Sequence, residues 1–163
     1  MQNASIIFVT GGLGFIGKQF VRSALQSGCY VKNVDKVSYA ADLVAKQEFE
    51  NHKNYRFIKA DIRDLDFLPE CDVVVNFAAE SHVDNAITNA RKHCESNFLG
   101  VQNCLELVRR KLTSEQPLFI QISTDEVYGD IRSGTHSETD ILVPSNPYSA
   151  TKAAADMLIM SWG

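Results

Sequence analysis

The sequence predicts an α/β fold, a doubly wound parallel sheet with helices on both faces, and three observations carry that prediction. Short apolar runs with strand character alternate with helix-period stretches along nearly the whole chain. The first run, Ile6 to Val9, feeds directly into Val9-Thr10-Gly11-Gly12-Leu13-Gly14-Phe15-Ile16-Gly17, where Gly11, Gly14 and Gly17 recur at every third residue ahead of a helix. The next strand ends in an acid, Asp35, about 20 residues further on.

Each element follows from local pattern. Ile6–Thr10 is expected as strand one, and residues 15–26 as a helix with Phe15, Ile16, Phe20, Val21 and Leu25 inward and Gly28 as its C-terminal cap. Tyr30 to Val34 is strand two, followed by a loop and a polar helix near 41–49; Tyr55–Lys59 is strand three. Asp61-Ile62-Arg63-Asp64 opens a short helix or turn, with Asp61 suited to an N-cap, and residues 72–77 form strand four. A long helical region from about Val83 to Arg110 is expected to break near Asn89. Residues 118–123 are strand five, and after a loop rich in Ser, Thr, Asp and Pro a last helix runs from Pro147 to about Trp162, with Asn146 as its cap. Right-handed crossovers between parallel strands give the order 3-2-1-4-5, a Rossmann-like sheet.

Composition narrows the class. The 163 residues, 45% hydrophobic and 22% charged, fit one soluble domain, and a net charge of −4 disfavours nucleic acid or a membrane surface as partner. Cys29, Cys71, Cys94 and Cys104 form no CxxC pair and join no histidine cluster, so no metal site is expected and a reduced, cytoplasmic setting is. No stretch approaches membrane-spanning length, and no basic region precedes the first apolar run, as a signal peptide would require. His52, His93 and His136 are expected at the surface.

The glycine turn is chemistry-bearing. One glycine permits the tight turn, the next lets a pyrophosphate approach bare backbone, and the last lets the helix press onto the strand. The helix then points its positive end at the phosphates. Gly12 to Gln19 nearly spells the phosphate loop of an NTPase, but Gln19 stands where that loop needs a magnesium-binding hydroxyl. Asp35 can accept both hydroxyls of an adenosine ribose and would repel a 2′-phosphate, which favours NAD over NADP. Tyr148 and Lys152, four apart on the last helix, share one face. A nearby ammonium stabilises a phenolate, so Lys152 is expected to lower the Tyr148 pKa from its free value of about 10. Thr124, at the exit of strand five, then offers a hydroxyl to the substrate oxygen that Tyr148 deprotonates.

These residues carry a resemblance. Thr10–Gly17, Asp35-Lys36-Val37-Ser38-Tyr39-Ala40, Asp61-Ile62-Arg63-Asp64, Ala78-Ala79-Glu80-Ser81-His82-Val83-Asp84, Ser123-Thr124-Asp125-Glu126-Val127-Tyr128-Gly129 and Asn146-Pro147-Tyr148-Ser149-Ala150-Thr151-Lys152 span nearly the whole chain. Together they are similar to extended short-chain dehydrogenase/reductases, specifically nucleotide-sugar 4,6-dehydratases of the dTDP-glucose type. The resemblance implies an NAD site built from Gly11, Gly14, Phe15, Ile16, Gly17, Asp35, Lys36, Ser38, Asp61, Ile62, Ala78, Ala79, Ser81, Ser96, Tyr148 and Lys152. It implies catalysis by Thr124, Asp125, Glu126, Tyr148 and Lys152, with Ser81 and Thr124 touching substrate. The acidic pair is the specific feature, since eliminating water beside a ketone needs one carboxyl as base and one as acid. The alternatives are an NAD-dependent 4-epimerase, which lacks that pair, and an NAD-binding module doing no chemistry. Asn85 stands where the family usually has Arg, and Ser38 and Ser96 where it has Thr.

The family also carries a substrate-binding domain absent from this chain, so residues 1–163 are expected as an NAD-binding domain with the catalytic residues, truncated before that domain. Its dTDP- or UDP-glucose substrate and a homodimer are implied in the same way. Strand five would lie at the sheet edge with Phe119, Ile120 and Ile122 as a flat apolar segment. Leu105, Leu107, Met157 and Met160 are expected partly bare in a monomer, so the isolated chain is expected to dimerise or aggregate.

Overall fold

The computed structural model describes residues 4–162. Five parallel strands, β1 (Ile6–Thr10), β2 (Tyr30–Asp35), β3 (Tyr55–Lys59), β4 (Val73–Asn76) and β5 (Leu118–Gln121), pair in the order β3-β2-β1-β4-β5. That is the expected crossover pattern. The helices are α1 (Gly17–Gln26), α2 (Leu43–Glu50), α3 (Val83–Thr88), α4 (Arg91–His93), α5 (Gly100–Arg109) and α6 (Pro147–Met160). By packing, the described chain falls into two units, one of residues 4–78 and Asn103–Ile122, the other of Ala79–Gln102 and residues 123–162.

The first unit holds the whole sheet, with a core on each face. Val9, Leu13, Val21, Leu25, Val31, Phe49 and Tyr55 pack on one side, and Phe8, Val34, Ile62, Leu68, Val74, Cys104 and Leu107 on the other. Strands buried on both faces read as continuous apolar runs, which is why Val73-Val74-Val75 and Ile6-Ile7-Phe8-Val9 were visible as strands. Gly28 lies just beyond α1 at φ +83°, the left-handed conformation of a helix stop, and its N–H donates to Leu25 O at 3.0 Å. The Asp42 carboxylate caps α2, accepting from Val44 N and Ala45 N at 3.0 Å each.

Several expectations change. Phe15 and Ile16 are 82% and 61% exposed rather than inward, because the glycine turn continues through them and α1 starts at Gly17. The helical region does break at Asn89, but after α4 it becomes a π-helix over Cys94–Leu99 before α5 resumes the ordinary pitch. Leu105 and Leu107 are buried, while Met157 and Met160 are exposed as expected. His93 is 2% exposed rather than at the surface; its Nε2–H donates to the His82 carbonyl at 3.1 Å, and its Nδ1 has no hydrogen-bond partner among the described residues. No helix among the described residues is long and apolar enough to cross a membrane.

Candidate functional site

In the first unit the three glycines do separable jobs. Gly11 has φ +68°, and a Cβ there would lie 2.6 Å from Ala78 N. A Cβ on Gly17 would lie 2.3 Å from Gly11 O, so the start of α1 presses directly on the turn. A Cβ on Gly14 would meet only Gly11 O, at 3.2 Å, leaving that backbone open to a ligand. Among the described residues no side chain caps the N-terminus of α1. An uncapped helix start beside open glycine backbone is what a pyrophosphate requires.

Asp35 ends β2 nearly buried and does more than the sequence suggested. One carboxylate oxygen accepts from Leu13 N at 3.1 Å and the other from Val37 N at 2.8 Å. The latter bond helps hold Val37 at φ +60°, a conformation a β-branched residue rarely adopts. A carboxylate offers about four lone-pair sites, so capacity for two hydroxyls remains. Asn33, unnoticed in the sequence, is fully buried; it accepts from Gly12 N at 3.0 Å and donates to the Tyr55 hydroxyl at 2.8 Å. Asp61 caps a 3-10 turn, Ile62–Asp64, by accepting from Arg63 N at 3.1 Å, and it pairs with the Arg63 guanidinium at 3.0 Å. Burial alone would raise its pKa, but the Arg63 bonds and the charges of Arg63 and Lys36 bring it below the ordinary value. The Ile62 side chain lies in the core, which leaves only its backbone for a ligand. Lys36 is exposed, and Ser38 accepts from Ala40 N at 3.3 Å in its own turn. Ala78 donates to Thr10 Oγ1 at 3.3 Å.

The second unit gathers the remaining candidates. Thr124 caps a 3-10 turn, Asp125–Tyr128, its hydroxyl accepting from Glu126 N at 3.3 Å. The same side chain hydrogen-bonds the Tyr148 phenol. The Glu126 carboxylate accepts from Asn146 Nδ2 at 2.9 Å, whereas Asp125 is exposed, so adjacent carboxyls have different surroundings. Asn146 also caps α6 through Ser149 N at 2.9 Å, completing a capping box, so one residue fixes both Glu126 and the helix bearing Tyr148. Lys152 is 3% exposed on α6. Ser96 is buried in the π segment, while Ala79 and Ser81 are exposed.

Asn97 was missed by sequence reasoning. It sits in the π-helix, 1% exposed, and accepts from Glu80 N at 2.8 Å while donating to Glu80 O at 2.9 Å and Thr151 Oγ1 at 3.0 Å. Thr151 Oγ1 in turn donates to the Tyr148 carbonyl at 2.7 Å. Single π turns of this kind are frequent at functional positions. The one signal of Asn97 in the sequence was an amide among helix-period apolar residues.

The charge state of Tyr148 corrects an expectation. Its pKa lies above the ordinary value, because partial burial and the carboxylates of Glu126, Asp125 and Asp156 outweigh the bond from Thr124. Burial likewise pushes Lys152 down, opposed by Asp156. Burial raises the Cys71 thiol to about 11 and Cys104 to about 12, so both stay protonated and inert at neutral pH. No cluster of metal-ligating side chains occurs among the described residues.

A Rossmann-like sheet with a glycine turn, joined in sequence to a Thr-Asp-Glu turn and a Tyr-x-x-x-Lys helix, defines a short-chain dehydrogenase/reductase type of protein. The profile of the GDP-mannose 4,6 dehydratase family matches residues 8–163, and the chain belongs to that family. It is 45% identical over 96% of its length to the low-salt glycan biosynthesis protein Agl12 of Haloferax volcanii, and 40% identical over the same share to the dTDP-glucose 4,6-dehydratase of Streptomyces niveus. These matches cover 51% and 48% of the two relatives, so the chain spans about half the length of the curated relatives it matches. The crystal structure of dTDP-glucose 4,6-dehydratase from Bacillus anthracis in complex with NAD superimposes with a TM-score of 0.85 at 36% identity, covering 98% of this chain and 50% of that one. A UDP-glucuronic acid 4-epimerase from Bacillus cereus with NAD reaches 0.86 at 29% identity, over 96% of this chain and 52% of its own.

Proposed function

We propose that this chain carries the NAD-binding and catalytic portion of a nucleotide-sugar 4,6-dehydratase, converting dTDP-glucose, or its UDP equivalent, to the 4-keto-6-deoxy sugar. The observation that carries the reading is the Thr124-Asp125-Glu126 turn, whose threonine bonds the Tyr148 phenol and whose carboxyls act on it. An epimerase shares the fold equally well, but needs no such acid pair.

The glycine turn, the start of α1 and Asp35 fit NAD, with Asp35 excluding a 2′-phosphate. When bound, NAD supplies a hydride acceptor for C4 of the sugar and returns the hydride to C6, ending as it began. Around that exchange the chain's own residues move protons. Tyr148 takes the proton of the 4-hydroxyl while Thr124 holds that oxygen and the Lys152 ammonium, on the same face of α6, counters the burial and the carboxylates that raise the phenol's pKa. Glu126 takes the C5 proton, made acidic by the neighbouring ketone. Asp125 protonates the departing 6-hydroxyl, which leaves as water, and Glu126 gives its proton back to C5; the proton that Tyr148 took from the 4-hydroxyl then returns through solvent to Asp125, so each group ends as it began. The net change is loss of one water. Ser81 and Thr124 contact the sugar in this reading, and Phe15, Ile16, Lys36, Ser38, Asp61, Ile62, Ala78, Ala79 and Ser96 contribute to the NAD site.

A cytoplasmic homodimer belongs to the same reading. It is supported by unpaired cysteines and by exposed Leu99, Met157 and Met160. The test is incubation of the natural polypeptide carrying this sequence with NAD and either dTDP-glucose or UDP-glucose. A 4-keto-6-deoxy product is expected; a 4-epimer, or no product from either sugar, would overturn the reading.

A further inference from the structure

Lys152 presents a physical problem that the catalytic assignment leaves open. An ammonium group 3% exposed has lost most of its hydration, and burial favours the neutral amine. A neutral amine would do nothing for a phenolate. Asp156 lies one helical turn further along α6, on the face shared by Lys152 and Tyr148. Its carboxylate is half-buried and accepts a hydrogen bond from the Ser123 hydroxyl, the residue directly before Thr124.

We propose that Asp156 is a positioning residue for this site: it sets a negative charge beside the Lys152 ammonium, and its bond to Ser123 ties α6 to the segment bearing Thr124, Asp125 and Glu126. The inference deepens the dehydratase reading and rests on it for its catalytic meaning. Lys152 is flanked on α6 by Tyr148 and Asp156; Tyr148 is faced by Glu126 and Asp125 from the 3-10 turn, by Asp156, and by the His93 ring, edge-on with centroids 6.4 Å apart. Asp156 therefore acts on both partners in the same direction, keeping protons on each. Its own carboxyl is raised by burial, and the Ser123 bond and the Lys152 charge act to keep it ionised.

The variant Asp156→Asn keeps the shape and an oxygen for Ser123 while removing the charge. In NMR titrations of this chain, with the Lys152 and Tyr148 signals assigned through Lys152→Met and Tyr148→Phe, Asp156→Asn should move both ionisations to lower pH. The shift at Lys152 should be on the order of one pH unit. Ser123→Ala, which keeps the charge, should leave the Lys152 titration in place, and Asp156→Glu should restore it. A folded Asp156→Asn protein with an unchanged Lys152 titration, or a Ser123→Ala protein shifted equally far, would overturn the proposal. In the natural polypeptide the alkaline limb of the pH profile for sugar-dependent NAD reduction should also move to lower pH. A uniform loss of rate at every pH would mark a merely structural role and refute it. Absence of dehydratase activity in the unmutated protein would instead refute the function proposed above, while the titrations would still decide the charge relation.

Discussion

Gly14 and Gly17 separate packing of the turn from binding of a ligand. At Gly17 an added methyl would sit 2.3 Å from Gly11 O and 3.0 Å from Gly12 Cα, both backbone, so the turn itself must shift. Overpacking of that kind costs up to about 3 kcal/mol. Gly17 is the first residue of α1, where alanine's advantage over glycine inside a helix counts for little. A loss of that size is a fall in Tm of roughly 6–12 °C for a chain of this size. At Gly14 the methyl meets only Gly11 O, at 3.2 Å, so Gly14→Ala should hold its Tm to within about 2 °C, equivalent to about 0.5 kcal/mol. It nonetheless covers the backbone that a pyrophosphate would approach. NAD affinity should therefore drop at least tenfold, about 1.4 kcal/mol. Scanning fluorimetry reads the first quantity and isothermal titration calorimetry with NAD the second. If Gly14→Ala binds NAD as tightly as the unmutated chain, no pyrophosphate lies over Gly14; an unchanged Tm for Gly17→Ala would refute the packing argument.

Asp35→Ala should weaken NAD and narrow its preference over NADP, and should also lower Tm, since Leu13 N and Val37 N both lose their acceptor; equal binding of both cofactors by the unmutated chain would sink the assignment. In the natural polypeptide, Glu126→Gln should still reduce NAD with substrate but lose C5 proton exchange and dehydration, whereas Tyr148→Phe should fail at hydride transfer; normal dehydration by Glu126→Gln would remove that residue from its role. Tyr55 is pushed up to about 12, chiefly by burial. A folded pKa above the unfolded value of about 10 gives stability that is present below pH 10 and lost as pH rises through 12, so alkaline unfolding should be less steep in Tyr55→Phe. Sedimentation should show this chain self-associating at micromolar concentration, given Leu118 and Ile120, 63% and 40% exposed, on the edge strand β5; a stable monomer would count against it.

What the sequence by itself determined was whatever depends on neighbours along the chain. Strand runs such as Val73–Asn76, the glycine spacing, the Asn146 cap and the four-residue step from Tyr148 to Lys152 are short-range patterns, and the sheet order followed from the handedness of crossovers. The extent of α1 was misjudged for a local reason too, since apolar Phe15 and Ile16 read as helix-inward although the turn claims them. Only the tertiary structure decided which polar groups are buried and what faces them. Asn33, His93 and Asn97 are unremarkable letters until packing removes their water, after which each must find a partner or go without. The pKa of Tyr148 is of the same kind. Spacing alone predicted a fall caused by Lys152, but the outcome is a sum over burial and three carboxylates, two of them more than twenty residues away in sequence, and only folding brings them together.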